Sequence, residues 1–143
     1  MGKIRKTYCL LSLMTLIFGM IIYLLFRNIN NIVLFSFIVK PEYFNEVLVP
    51  LKSSIMIDVL KYNIPDMLWF LSAILFFRFI WFYKYKIQKI YILCIYLVGF
   101  SFEILQISEN IPGTFDWLDV ILLCIVAFVE SLLYKILILR RCL

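Results

Sequence analysis

The chain has 143 residues, of which 65% are apolar, and its mean hydropathy is +1.03. Soluble domains are about half apolar, so this composition excludes an ordinary water-soluble fold, and the length leaves no room for a separate soluble domain. The net charge of +5 raises the question of nucleic acid, but the basic residues border apolar stretches instead of forming one patch, so no nucleic-acid partner is expected.

A membrane span needs about 20 mostly apolar residues to cross about 30 Å of hydrocarbon. The first candidate covers residues 8–26 and follows Lys3, Arg5 and Lys6. It imitates a secretion signal, yet it outruns the usual apolar core of about 7–15 residues and no small-x-small site follows. It reads as an uncleaved signal anchor. Residues 27–65 read as an outer loop. Within it, the apolar run 31–39 is too short to cross and ends at Lys40-Pro41, where proline breaks regular structure. The stretch 46–62 alternates apolar and charged residues, which suits an interfacial amphipathic segment. A re-entrant hairpin is the alternative.

Pro65-Asp66 is expected to open the second span, over residues 67–83, because proline suits a first helical turn and an acid suits the positive end of the helix dipole. That span has to tolerate Arg78. Its inner border is the aromatic and basic run Trp81-Phe82-Tyr83-Lys84. A third span covers about 90–107, Pro112-Gly113 makes a tight turn, and a fourth covers about 118–139. Gly99 is the one obvious point for close helix contact. The expected fold is all-α and polytopic: four transmembrane helices and one outer interfacial or re-entrant segment, in a single membrane domain over 1–143.

Charge sets the expected orientation. Lys3, Arg5, Lys6, Lys84, Lys86, Lys89, Lys135, Arg140 and Arg141, nine of the fourteen basic residues, lie inside if both termini are cytoplasmic. Arg27, Lys40, Lys52 and Lys61 lie on the outer loop, diluted by Glu42, Glu46 and Asp58. The four cysteines, Cys9, Cys94, Cys124 and Cys142, are widely separated, and the chain has no histidine. They read as buried, reduced thiols. No metal site and no cofactor are expected.

Helical spacing gathers the polar residues. Tyr96, Gly99, Glu103, Gln106 and Asn110 share one stripe of the third span. Asp116, Asp119, Leu123, Val126 and Glu130 share one stripe of the fourth, and Asp66 enters at the same outer level. The two spans should be antiparallel neighbours with the stripes facing. Mutual repulsion makes it costly to ionise so many acids at once, and carboxylates beside hydrocarbon are commonly paired, hydrated or functional. Asp116 and Asp119 also suit helix capping, and Asp66 reads more as a cap than as a catalyst. Glu103, about a turn inside the span, has no capping role, and Gln106 is placed to hold it. Paired carboxylates can serve acid–base chemistry, so an enzyme using Glu103, with Asp119 as partner or metal ligand, stands beside a binding site and beside a structural accessory subunit.

Arg78 and Glu130 form a second group. Each lies about 17 Å below the outer acids at 1.5 Å rise per residue. Opposite charges at one depth should pair, and a structural staple is the expected role.

The segments Phe102-Glu-Ile-Leu-Gln106 and Pro112-Gly-Thr-Phe-Asp-Trp-Leu-Asp119, with Asn63-Ile-Pro-Asp-Met-Leu-Trp69, resemble the VanZ-like family of small bacterial membrane proteins. The resemblance covers about residues 63–130. It implies Glu103, Gln106, Asp119 and Asp66 as the recurrent polar positions. It also implies a multi-pass protein of the bacterial inner membrane, tied to the cell envelope and, through the family's namesake, to glycopeptide resistance. The implied partners are the lipid bilayer and an envelope lipid or cell-wall precursor. Leu123 stands where the family often has Asn, and Pro112-Gly113-Thr114 where it commonly has an Arg.

The orientation predicts a labelling pattern. In intact cells, Gly113→Cys should react with an impermeant maleimide and Lys86→Cys only after permeabilisation. The reverse pattern would invert the topology.

Overall fold

A computed structural model of the chain describes residues 2–26, 55–107 and 115–142. Four helices account for nearly all of these: α1 (Gly2–Phe26), α2 (Ile55–Ile80), α3 (Tyr85–Gln106) and α4 (Trp117–Cys142). All four are long and apolar enough to cross a membrane. The chain is thus an all-α, multi-pass membrane protein. The expected interfacial or re-entrant segment before residue 55 lies outside the described residues, as do Asn110 and Pro112-Gly113.

The second helix differs most from expectation. Pro65 does not open it. The helix begins at Ile55, ten residues earlier, and Pro65 lies buried inside it. Residues 55–65 are therefore helix and not outer loop, and Asp66 is not an N-terminal cap. A proline inside a helix removes one hydrogen bond, but membrane helices tolerate this where neighbours re-satisfy the backbone. The upstream turns also place Asn63 against α4, where its amide bonds two aspartates. That polar contact is a sufficient reason for the helix to continue through the proline.

Helix α2 is the most buried of the four and contacts all the others. It runs antiparallel to α1. Arg5 Nε donates to the Phe79 carbonyl at 3.2 Å near one end, and Tyr23 stacks on Trp69 at 5.5 Å near the other. Between them, Ser12 and Ser72 each donate a hydroxyl to the other's backbone carbonyl, at 3.0 and 2.9 Å. Gly19 makes this approach feasible. A Cβ there would sit 2.6 Å from the Trp69 ring, so Gly99 is not the sole point of close contact. Gly99 does the same for α3, since its Cβ would lie 2.7 Å from the Phe70 ring.

Helix α3 returns antiparallel to α2, joined by a short turn at Trp81–Tyr83. Tyr91 of α3 stacks on Phe77 at 5.1 Å and on Trp81 at 5.4 Å. Helix α4 runs parallel to α2, since Asn63 meets Asp119 at one level and Arg78 meets Glu130 at the other, and so antiparallel to α3, which it meets at Tyr96 and Ser131. The core at the junction is small: Phe70, Ile74, Ile92, Leu123 and Val126. Large apolar side chains such as Leu10, Leu93 and Phe128 point outward instead, where hydrocarbon replaces water as solvent. Cys94 and Cys124 are also exposed and Cys9 is half-buried, so these free thiols are not core residues.

Below the core lies a closed polar network. Arg78 Nε and Nη2 donate to the two carboxylate oxygens of Glu130, each at 2.9 Å. Arg78 Nη1 donates to Gln88 Oε1 at 3.0 Å, and the Gln88 amide returns a bond to the Arg78 carbonyl at 3.2 Å. The Tyr134 hydroxyl also donates to Gln88 Oε1, and its ring lies under the guanidinium at 3.5 Å. Arg78 and Glu130 are each 5% exposed and Gln88 is wholly buried. Bidentate, charge-assisted bonding is the strongest form of such a pair, and it ties α2, α3 and α4 together at one level.

Removing one partner of a buried pair leaves an uncompensated charge and costs about 3–5 kcal/mol. Thermal unfolding in detergent should show losses of that order for Arg78→Leu and for Glu130→Leu. The double variant should recover part of the loss. Purely additive losses would mean that the pair has no coupling energy.

Candidate functional site

Toward the opposite end of the bundle, α2, α3 and the start of α4 line a cleft of about 1330 Å³. The inward stripes of the three helices line it. Asn63, Asp66, Phe70, Ala73 and Phe77 follow helical spacing along α2. Gly99, Glu103 and Gln106 contribute from α3, and Asp116, Asp119 and Leu123 from the start of α4. Every acid picked out from the sequence for this cluster thus lines one cleft. Asp58, expected on the outer loop, joins them because α2 starts early.

The two aspartates of α4 are engaged. Asp116 Oδ1 accepts the backbone N–H of Leu118 at 2.9 Å, which makes Asp116 the cap of α4. Its other oxygen accepts from Asn63 Nδ2 at 3.2 Å. The same amide nitrogen donates to Asp119 Oδ1 at 2.7 Å. Both donor hydrogens of Asn63, itself buried, are thus used to fix the first turn of α4 against α2. Asp119, at the positive end of α4, is held there by both the dipole and the amide.

Glu103 is different. It sits almost a full turn inside α3 and is only 8% exposed. Its Oε2 is buried and finds no hydrogen-bond partner among the described residues. Gln106, expected to hold it, lines the same cleft but gives no bond to Oε2. A buried carboxylate oxygen without a donor costs on the order of 1–3 kcal/mol, and more if charged. Among the described residues the fold leaves such a side-chain atom only here, on a residue that lines the cleft. Arg78 and Glu130, by contrast, lie outside the cleft and satisfy each other. Among the described residues no three acidic or cysteine side chains come together in a way that would hold a metal ion.

Three residues with no role expected from the sequence belong to these polar groups: Asn63, Gln88 and Tyr134. Tyr134 lies one turn beyond the expected stripe of the fourth span, Gln88 two turns beyond that of the third, and Asn63 one turn before Asp66. Gln88 and Ile92 continue the Tyr96–Gln106 stripe backwards, Tyr134 continues the Glu130 stripe forwards, and Asn63 precedes Asp66 by three.

Compared with family models, curated proteins and solved structures, the chain matches none.

Asn63 is the residue that joins α2 to α4 at the mouth. Asn63→Leu would leave two aspartates without their donor, at a cost of about 1–3 kcal/mol. Unfolding temperature in detergent should fall, and amide exchange should rise in the first turn of α4 while the turn around Glu130 stays protected. Equal loss of protection along all of α4 would show that Asn63 has no local role.

Proposed function

We propose that this protein is a VanZ-like component of the bacterial cell envelope, set in the inner membrane with both termini cytoplasmic, that binds an envelope-related ligand in the acidic cleft. The observation that carries this reading is Glu103, which lines the cleft and whose buried Oε2 has no partner among the described residues. A structural carboxylate would be expected to resemble Glu130, with both oxygens bonded. The cleft also counts against a purely structural accessory subunit, for which tight packing across all three helices is the expectation. The charge asymmetry of the sequence supports an outward-facing mouth, since Lys84, Lys86 and Lys89 all lie near the opposite end.

An envelope lipid fits this placement. Such molecules present polar groups at the membrane surface above long apolar chains, and the cleft has polar lining at its mouth and aromatic or aliphatic lining below it. The link to glycopeptide resistance comes from the motif resemblance around Glu103, Gln106 and Asp119.

The test is isosteric. Glu103→Gln keeps size and hydrogen-bonding capacity and removes the charge. At matched membrane expression it should fail to complement a glycopeptide-susceptibility or other envelope-stress phenotype, while Asp116→Asn, which keeps a capping side chain, should complement. Full complementation by Glu103→Gln would overturn the site and favour the accessory-subunit reading.

A further inference from the structure

The shape and charge of the cleft narrow the ligand class. Along α2 the lining runs from Asp58 to Phe77, about 28 Å at 1.5 Å per residue. That is close to the roughly 30 Å thickness of bilayer hydrocarbon. Along α3 it runs from Gln106 to Tyr91, about 22 Å by the same rise. The volume of about 1330 Å³ exceeds the roughly 300–1,000 Å³ of a pocket for a compact small molecule. This is a long slot. It suits an extended chain better than a sugar or a nucleotide.

Polarity divides the slot. Asp58, Asp66, Glu103, Asp116 and Asp119 stand among its lining residues, all toward one end, and among the described residues no Lys or Arg lines it. The other end is lined by Phe77, Tyr91, Cys94 and Ile95. Among the described lining residues an anionic head group finds no cation. The one buried amide at the mouth, Asn63, has already given both hydrogens to Asp116 and Asp119. What the mouth offers among the described residues is carboxylate, above all Glu103, whose buried Oε2 has no donor. A carboxylate recognises an ammonium group through charge-assisted hydrogen bonds.

We infer that the cleft binds a cationic amphiphile, its ammonium head at Glu103 and its hydrocarbon tail lying along the groove between α2 and α3. This rests on the reading of Glu103 as a ligand site and adds the charge and shape of the ligand. Head and tail contribute separately: the head replaces the missing donor of Glu103, and the tail covers Phe70, Phe77 and Ile95.

Trp69 lines the cleft and reports on its mouth. With Trp81→Phe and Trp117→Phe as background, its emission can be titrated in maltoside micelles with head-labelled nitroxides. The probes are a dodecyl-dimethylammonium nitroxide, the neutral lauroyl ester of the same nitroxide, and the trimethylammonium nitroxide without a long chain. The cationic long-chain probe should quench saturably at a concentration at least about tenfold below either of the others, since loss of a charge-assisted bond of about 1.5–3 kcal/mol corresponds to a factor of ten or more. Glu103→Gln should erase the preference over the neutral probe. Gln106→Lys, which supplies a tethered cation at the mouth, should erase it too and serves if Glu103→Gln does not fold, as judged by circular dichroism and thermal unfolding. Equal quenching by cationic and neutral long-chain probes, or an unchanged preference in both variants, would overturn the inference. If Glu103→Gln loses complementation while the parent shows no cationic preference, the site stands and the ligand class falls. If it complements fully, both fall.

Discussion

A guanidinium carries five N–H donors and stays charged at any accessible pH, so it cannot be left among hydrocarbon side chains without partners. Arg78 finds its partners on two other helices, Glu130 on α4 and Gln88 on α3, and its face is covered by Tyr134. This requirement sets the level at which α2, α3 and α4 meet. It fixes the rotation of each helix as well, because the same stripes that deliver Glu130 and Gln88 deliver Leu123, Val126 and Ile92 to the core one or two turns away. Few small residues help these helices approach, so polar bonding and the two glycine contacts at Phe70 and Trp69 carry much of the geometry.

The two polar layers use similar residue types to opposite ends. In the Arg78 layer every charged oxygen and nitrogen named has a partner, and the aromatic ring of Tyr134 closes the remaining face. In the acidic layer, Asn63 satisfies the aspartates of α4, yet Glu103 retains an oxygen with no donor. Glu130 and Glu103 are equally hidden from solvent, so burial alone does not distinguish a brace from a binding residue. The distinction lies in whether the protein itself supplies the counter-group.

Much of this arrangement was legible in the amino-acid sequence. Apolar length gave the four spans, and 3-4 spacing placed Glu103, Gln106, Asp119 and Asp116 on stripes that do line one cleft. The equal depth of Arg78 and Glu130 followed from rise per residue alone, and the two are bonded. What escaped were the ends of the helices. Pro65-Asp66 carries the local chemistry of a helix start, and only the tertiary contact of Asn63 with α4 reveals that the helix continues through it. Gln88 lies between Lys84, Lys86 and Lys89, where composition says water and not core. Its burial depends on Arg78, a residue ten positions earlier on another helix. Gly19 was no more conspicuous, since its partner Trp69 is fifty residues away in the chain.

The continuation of α2 through Pro65 has a mechanical side. Proline has no amide hydrogen, so the carbonyl of Lys61 loses its helical donor and one rung is missing from the ladder. Helices bend most easily where a rung is absent. The missing rung falls between the part of α2 that carries Asp58 and the part anchored through Arg78. The two segments are therefore held by separate anchors: the lower one through the Arg78 layer, the upper one through the Asn63 bonds to the start of α4. With one rung missing between them, the Asn63 contact sets the angle at which the acidic end of α2 meets α4.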